Sequence, residues 1–380
     1  MEKRERVAKN FRIFIGLIVF LIVVSFVFVY SSSSVYALER FGSSSYFIQK
    51  QFMGLFLGLV LAFIALLIPS NVIASLSPVF FLTALGLTAL TLVPGLGVKI
   101  HGASRWVSLF GFAFQPSELL KYSLIIYVAQ VISKYSRHRS TNTRAHFLLL
   151  AIVGITSGLL LVQPDFGLMV TLCGTVLMLW FVAFVNWRYI LLLAATGIPF
   201  FAYLIYREPY RLRRLLTYLD PWQDPQGAGF QIIQSLIAIG SGGIWGVGIS
   251  HSRQKFFYLP MQHTDFIVSI IAEESGFIGI SILLLVFALV LYFGMRMAWS
   301  FKNAFSTYLI LGFVWLLSLQ AIINFCVVAG LFPTKGIGLP FVSYGNSSLV
   351  CSLAMLGIIA RCVHEEGQSF GAIYQDLQLQ

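Results

Sequence analysis

Charged residues are scarce in this sequence, since Asp, Glu, Lys and Arg together account for 10% of its 380 residues. Hydrophobic residues account for 58%, and the mean hydropathy is +0.87. Soluble globular proteins are not built with this balance, because they need more polar surface than it supplies. The shortage of charge excludes a soluble enzyme or a soluble nucleic-acid-binding domain, and it predicts an integral membrane protein.

Cysteine is scarce as well, with four residues in the whole chain. All four lie inside or at the ends of apolar segments, and no two have the spacing of a metal site or a redox motif. Cysteine therefore gives no indication of a zinc site or of a disulfide. The residues are Cys173, Cys326, Cys351 and Cys362.

Long apolar runs recur from Phe11 almost to the end of the chain. Their lengths predict about ten transmembrane helices, and hence an all-α polytopic membrane protein with a single domain over residues 1–380. Residues 1–10 and 363–380 are predicted as cytoplasmic tails. The predicted spans are 11–30, 51–69, 76–92, 116–132, 146–161, 167–185, 188–206, 265–292, 306–331 and 347–362.

Basic residues give the predicted orientation, because short loops rich in Lys and Arg are retained in the cytoplasm. The formal net charge of +11 is then explained by membrane orientation, and no nucleic-acid partner is predicted. With an even number of spans, both termini are cytoplasmic. The deciding residues are Lys3, Arg4, Arg6, Lys9, Arg12, Lys134, Arg137, Arg139, Arg144, Arg188, Arg296, Lys302 and Arg361.

One predicted outward connection, residues 206–264 between the seventh and eighth spans, is far longer than an ordinary loop. It opens with Arg207, Arg211 and Arg214 at helical spacing among apolar residues, which predicts a basic amphipathic helix on the membrane surface. The helix either anchors the loop to anionic lipid or holds an anionic head group. The glycines of 240–248 predict tight turns or close packing, and the lysine and strand of a phosphate loop are lacking.

Ionisable residues beside apolar segments are costly, and they therefore mark candidate functional positions. Glu118 lies in the first turn of a predicted helix that Pro116 opens, and Lys121 follows one turn later on the same face. The two residues either form an ion pair at the start of the helix, or Lys121 holds a phosphate at the outer membrane boundary. Both alternatives stay open from the sequence.

Four further acidic residues have competing interpretations. Asp165 lies in a short outward turn, where turn chemistry is favoured over function. Asp265 begins the predicted eighth span, so that it either caps the helix or takes part in chemistry. Glu273 and Glu274 lie deeper in that span and are predicted to find partners within the helix bundle.

Five separated stretches resemble, in order, one family: the SEDS proteins, which serve bacterial shape, elongation, division and sporulation. The stretches are 102–106, 114–121, 163–167, 259–267 and 333–348, so the resemblance covers nearly the whole chain. The last stretch is more similar to the division members than to the elongation members. The sequence departs from the usual pattern at Ser104, Met261 and Asn346.

The resemblance implies a glycosyltransferase that polymerises lipid II, the undecaprenyl-diphosphate-linked disaccharide-peptide precursor of peptidoglycan, at the outer face of the cytoplasmic membrane. It implies that Asp265 is the catalytic carboxylate, which we expect to be open to water and ionised, as a general base must be. Cations are expected to receive the charge of the departing diphosphate. The substrate-binding positions that the resemblance implies are Arg105, Glu118, Lys121, Arg211, Arg214, His263, Lys335 and Ser343.

The resemblance also implies partners and a location. A class B penicillin-binding protein and other divisome proteins are the expected partners, in the inner membrane at the division septum. The sequence identifies no cofactor, and whether a divalent cation, Mg or Mn, accompanies the substrate diphosphate stays open.

Three alternatives stay open: an elongation-type polymerase, a flippase that moves lipid II across the membrane, and a scaffold whose helices recruit a partner. Two pairs of small residues, Gly54 with Gly58 and Gly154 with Gly158, predict close helix contacts. Packing within the bundle is favoured over contact with a partner helix.

Overall fold

The structure, a computed structural model, describes most of the chain. The described ranges are 2–100, 103–109, 112–135, 143–184, 216–227, 229–256 and 258–378, with the single positions 195, 197, 199, 203, 206, 207 and 214. Most of the predicted span 188–206 and most of the predicted amphipathic helix that follows it, including Arg211, lie outside the described residues.

Ten α-helices lie within the described ranges, and eight of them are long and apolar enough to cross a membrane. The two helices outside that set are α4, which carries charged residues, and the short α7. The predicted polytopic helical fold is confirmed, and the count of ten spans stays a prediction. The helices are α1 (Glu2–Phe41), α2 (Tyr46–Leu67), α3 (Ser70–Leu90), α4 (Pro116–Tyr135), α5 (Thr143–Val162), α6 (Phe166–Phe184), α7 (Phe230–Gly242), α8 (Ile267–Ala298), α9 (Ala304–Val328) and α10 (Asn346–Gln378).

The first and last helices are longer than the predicted spans. The 40 residues of α1 correspond to about 60 Å, twice the thickness of a hydrocarbon core. Residues 2–10 and 363–378, predicted as tails, are therefore helical continuations. Hydropathy missed these extensions because it reports only the part of a helix that lipid surrounds.

A small antiparallel sheet, which the all-α prediction missed, connects α3 to α4. Its strands, in the order β1-β2-β3, are β1 (Gly97–Ile100), β2 (Ala103–Leu109) and β3 (Phe112–Phe114). Strands of 4, 7 and 3 residues are too short to give a clear alternating pattern in the sequence. The sheet matters for the site because β2 carries Arg105.

Helix α4 lies inside the bundle, where it packs against α3, α6, α9 and α10. Leu120, Ile125 and Val128 are among its many buried side chains. Because protein rather than lipid surrounds most of α4, charged residues in its first turns can be paired within the bundle.

The glycine-rich segment 243–249 packs against a break in α8. The break lies at Gly276, whose φ is 65°. There the Val247 N–H donates to the Glu273 carbonyl at 3.0 Å, and a Cβ on Gly246 would overlap the Glu274 carbonyl. Only glycine permits this approach, so the predicted close packing is confirmed.

The buried carboxylates of Glu273 and Glu274 have the partners that were predicted. Glu273 accepts hydrogen bonds from the Ser252 hydroxyl and, at 2.9 Å, from the Arg253 N–H. Glu274 accepts from the Ser31 hydroxyl at 2.5 Å. These bonds join α1 and the segment that leads to Asp265 to the first half of α8.

Small residues of α2 allow close contact with α10, as predicted. Gly54 faces Asn346, and Gly58 faces Leu353 and Val350. A Cβ on Gly58 would lie 3.1 Å from the Leu353 Cβ and 3.2 Å from the Val350 Cα. On α5, a Cβ at position 154 or 158 would meet no described atom within 4 Å, so the predicted close packing of these two glycines is not seen among the described residues.

We expect Gly58→Val to lower the Tm of the detergent-solubilised protein, because overpacking costs about 1–3 kcal/mol. The matched control is Gly86→Val on α3, where a Cβ would meet no described atom within 4 Å. Thermal unfolding measures both variants. Equal Tm values for the two would contradict the α2–α10 packing.

Candidate functional site

The five motif stretches converge at one end of the bundle. Arg105 of β2 donates from Nε to the Gln163 carbonyl at 3.2 Å, across the turn between α5 and α6. The Gln115 N–H donates to the Ser347 hydroxyl at 3.0 Å, which joins the start of α4 to the start of α10. Residues more than 50 positions apart in sequence thus line one region. We call this region, which the five motif stretches form together, the cleft.

Asp265 lies in this cleft, two residues before α8. The N-cap residue of α8 is Phe266, and it makes no side-chain capping bond, so the capping interpretation of Asp265 is wrong. The Asp265 carboxylate lies against Gly336, where a Cβ would be 3.2 Å from Oδ2. The missing side chain at Gly336 leaves room for the carboxylate.

Asp265 is half-buried, which corrects the expectation of a carboxylate open to water and fully ionised. Burial raises the pKa of Asp265 to about 7, and Asp165 acts in the same direction, while Arg105 and Arg214 oppose the rise. At neutral pH a carboxyl group with this pKa is protonated about half of the time. A pKa near the working pH suits a group that must take and then release a proton.

Asp165 and Arg105 lie close enough to Asp265 for their charges to act on its carboxylate. Asp165 is buried just before α6, where its Oδ1 accepts from the Leu168 N–H at 3.3 Å. The Arg105 Nη1 lies 3.7 Å from the Asp165 Oδ2, and Arg105 also donates to the carbonyls of Gln163 and Pro164. Burial raises the pKa of Asp165, and Arg105 opposes that rise. The predicted turn chemistry of Asp165 is confirmed.

Two more cations border the cleft. The Lys335 Nζ lies 4.7 Å from the centre of the Phe166 ring, a cation–π contact. Burial lowers the pKa of Lys335, and Arg214 acts in the same direction. Arg214 donates from Nη1 to the Thr334 carbonyl at 2.8 Å. Of the predicted cations, Arg105, Arg214 and Lys335 therefore lie around Asp265.

Glu118 and Lys121 form the ion pair that was one of the two alternatives, with 2.6 Å between Nζ and Oε2. The Lys121 side chain is 1% exposed and that of Glu118 14%. The ammonium is enclosed by the bundle rather than presented to the cleft. The structure supports the ion-pair interpretation, because an enclosed lysine cannot meet a phosphate without breaking its pair.

His263 is packed among aromatic rings. Its ring centre lies 4.4 Å from that of Phe47 and 5.8 Å from those of Tyr36 and Tyr344. Burial lowers the pKa of His263 to about 4, so the imidazole is neutral at pH 7. Through its ring contacts with Tyr36 and Phe47, His263 connects the ends of α1 and α2 to the segment that carries Asp265.

Ser343 joins two loops of the cleft. Its hydroxyl donates to the Thr264 carbonyl at 2.6 Å and accepts from the Leu339 N–H at 2.7 Å.

Sequence reasoning missed Asn324, whose Nδ2 donates to the Asp265 carbonyl at 2.9 Å. No charge or motif marks this residue, and only its polarity inside an apolar helix could have drawn attention to it.

Comparison with known proteins gives the family of this chain. The family described as "Cell cycle protein", which includes FtsW, RodA and SpoVE, matches residues 11–368. The chain belongs to the FtsW/RodA/SpoVE family. Within this family, the Probable peptidoglycan glycosyltransferase FtsW of Geobacter sp. (strain M18) is 40% identical over 333 residues, which are 88% of this chain and 91% of that protein. Stage V sporulation protein E of Bacillus subtilis (strain 168) is 36% identical over 339 residues, 89% and 93% of the two chains.

Solved structures of the FtsW/RodA/SpoVE family share the fold. A chain from a peptidoglycan synthase complex that coordinates polymerization and crosslinking has a TM-score of 0.77 and 30% identity, covering 93% of this chain and 97% of that one. The rod shape determining protein RodA of Thermus thermophilus has a TM-score of 0.69 and 27% identity, covering 93% and 96%. The family resemblance seen in the motifs is confirmed, and the chain is a multi-pass membrane protein.

We expect Asp265→Asn to raise the Tm at about pH 8 by about 2–4 °C, which corresponds to an increase of about 1 kcal/mol in the free energy of unfolding. The folded protein holds the Asp265 proton up to about pH 7, whereas the unfolded chain releases it at an ordinary pKa. Stability is therefore lost as pH rises from the ordinary pKa through about 7, and a neutral amide avoids this loss.

Thermal unfolding at about pH 8 and about pH 4 measures the effect, which should be absent at the lower pH. The control is Glu39→Gln, which neutralises an exposed carboxylate. An unchanged Tm of Asp265→Asn at the higher pH would contradict the raised pKa.

Proposed function

We propose that this protein is a peptidoglycan glycosyltransferase that polymerises lipid II at the outer face of the bacterial cytoplasmic membrane, with Asp265 as the general base. The observation that carries the proposal is a half-buried carboxylate with three cations around it at one end of a helix bundle. The names of its relatives, probable peptidoglycan glycosyltransferases, support the same activity.

The reaction forms one glycosidic bond and breaks one bond to phosphate. The 4-hydroxyl of the acceptor GlcNAc attacks C1 of the donor MurNAc, and Asp265 takes the proton of that hydroxyl. The C1–oxygen bond to the lipid diphosphate breaks with its electron pair, and the anomeric centre inverts. The raised pKa of Asp265 makes its carboxylate a stronger base than an exposed aspartate.

The cations of the cleft supply the second requirement, since negative charge grows on the departing diphosphate. Arg105 is held by backbone carbonyls, and its side chain is 27% exposed, so its guanidinium can meet an anionic ligand. Lys335 adds a charge beside Gly336, next to the carboxylate. The polyprenyl tail stays in the lipid beside the bundle while the head group occupies the cleft.

A divalent cation, Mg or Mn, belongs to the proposal only as a companion of the substrate diphosphate. Within the described ranges, no group of three or more His, Cys, Asp or Glu side chains is arranged to hold a metal ion. Asp165, the acidic neighbour of Asp265, is engaged by Arg105. The steps assigned to Asp265 and the cleft cations do not depend on the metal.

The proposed setting is the division septum of the inner membrane, with both termini in the cytoplasm. The distribution of Lys and Arg supports this orientation. The FtsW relatives support a division role over an elongation role. The similar chain in a peptidoglycan synthase complex supports a crosslinking partner, which we take to be a class B penicillin-binding protein, and other divisome proteins complete the proposed set.

Reconstituted protein supplied with lipid II should form glycan strands, and Asp265→Asn should lower the rate by about 10²–10⁴-fold, the usual contribution of a general base. Binding of lipid II should be retained, because the cations are unchanged. Asp220→Asn, at an exposed position, is the control and should leave the rate unaltered. The assay is run with and without the transpeptidase partner.

The same reconstituted protein distinguishes a polymerase from the alternative functions. Equal polymer yield from wild type and Asp265→Asn would remove Asp265 from the mechanism. A flippase would change the sidedness of labelled lipid II and make no polymer. A scaffold would support division in cells even with Asp265→Asn.

The polymerisation rate should rise with pH, with a midpoint at about 7, because only the ionised form of Asp265 accepts a proton. Initial rates of strand formation across the pH range measure this midpoint. A midpoint near the ordinary aspartate pKa, about 4, would show that the carboxylate is open to water, and would contradict the half-buried site.

A further inference from the structure

Asn324 makes a double hydrogen bond at the base of the cleft. It lies in the last turns of α9 and is 1% exposed. Its Nδ2 donates to the Asp265 carbonyl at 2.9 Å and to the Ile337 carbonyl at 2.7 Å. Because an amide nitrogen carries two hydrogens, both are used, one on each of two loops that meet only in the folded protein.

The partners also fix the orientation of the amide. Two carbonyl oxygens can only accept, so the NH₂ group must face them. The Asn324 Oδ1 is buried and has no hydrogen-bond partner among the described residues. An unpaired buried acceptor is unfavourable, and it is tolerated here while the nitrogen makes both of its bonds.

The two carbonyls belong to Asp265 itself and to Ile337, the residue that follows Gly336 in the carboxylate contact. Asp265 Oδ2 lies against Gly336, which precedes Ile337 and follows Lys335. Ser343 joins the same two loops at Thr264, one residue before Asp265. Asn324 alone among the described side chains is seen to bond both the Asp265 backbone and the turn that carries Lys335.

We propose that Asn324 is a positioning residue that sets the distance between the Asp265 carboxylate and the Lys335–Gly336 turn. This inference rests on the proposed function, in which Asp265 accepts a proton and Lys335 meets the diphosphate. Without these two hydrogen bonds, the two loops separate, water enters between them, and the carboxylate becomes hydrated. The base and the cation then no longer face the substrate at a fixed spacing.

The principal test is Asn324→Leu, which keeps the branched shape of the side chain and removes both donors. The kcat of strand formation should fall by about 10–100-fold, the effect of a small misplacement of catalytic groups, and the KM for lipid II should stay within about twofold. The midpoint of the pH–rate profile should move below 7, toward the ordinary aspartate value of about 4. Asn324→Ser, which keeps one donor, should lower both the kcat and the midpoint of the pH–rate profile, but by less than Asn324→Leu.

The matched control is Ser318→Ala in the same helix. The Ser318 hydroxyl is buried and donates to the Val314 carbonyl of its own helix at 2.9 Å, away from both loops. Its loss should leave the midpoint unchanged. A fall in kcat for Asn324→Leu and Asn324→Ser with an unchanged midpoint would show a general packing role and would overturn the inference, as would an unchanged kcat.

A second readout does not depend on activity. The Tm gained by Asp265→Asn at about pH 8 is compared in the wild-type and Asn324→Ser backgrounds. The gain should shrink in the second background, because a hydrated Asp265 no longer opposes ionisation, and an equal gain would overturn the inference. Absence of polymer from wild type would refute the proposed function while this comparison still decides the role of Asn324.

Discussion

The structure depends on one constraint: a backbone polar group surrounded by lipid has to find its partner within the protein. Helices satisfy it internally, and the segment 243–249 satisfies it by pairing with α8 at the break of Gly276. The broken helix and the glycine-rich turn complete each other's hydrogen bonds. Because the buried carboxylate of Glu273 then holds the residues after this turn, the constraint extends to the segment that carries Asp265.

The same constraint separates two kinds of ionisable residue. Glu118 with Lys121, and Glu273 with Glu274, are enclosed and bonded to protein groups, and they organise helix contacts. Asp265 is half-buried, and its side chain lies against a glycine rather than a donor. A half-buried carboxylate with little direct support keeps its proton to a higher pH, so the ionisation of Asp265 that the proposed catalysis requires lowers the stability of the fold.

Much of this arrangement could be predicted from the residues. Apolar length predicted the helices, the glycines of 240–248 predicted close packing, and depth in the membrane predicted that Glu273 and Glu274 would be partnered. The sheet at 97–114 was missed because its strands are short. The open, ionised Asp265 was a wrong expectation, because accessibility was inferred from its place at the end of a span, whereas the loop 333–345 folds over it.

The sequence by itself determined that the chain is a polytopic helical membrane protein, because the length and apolarity that hydrocarbon demands are local properties of each segment. It also determined which family motifs are present. Only the tertiary structure decided that Lys121 is enclosed, that the pKa of Asp265 is raised and that Asn324 bridges two loops. Burial and hydrogen bonding of these groups depend on neighbours from distant parts of the chain, and no local pattern of residues records them.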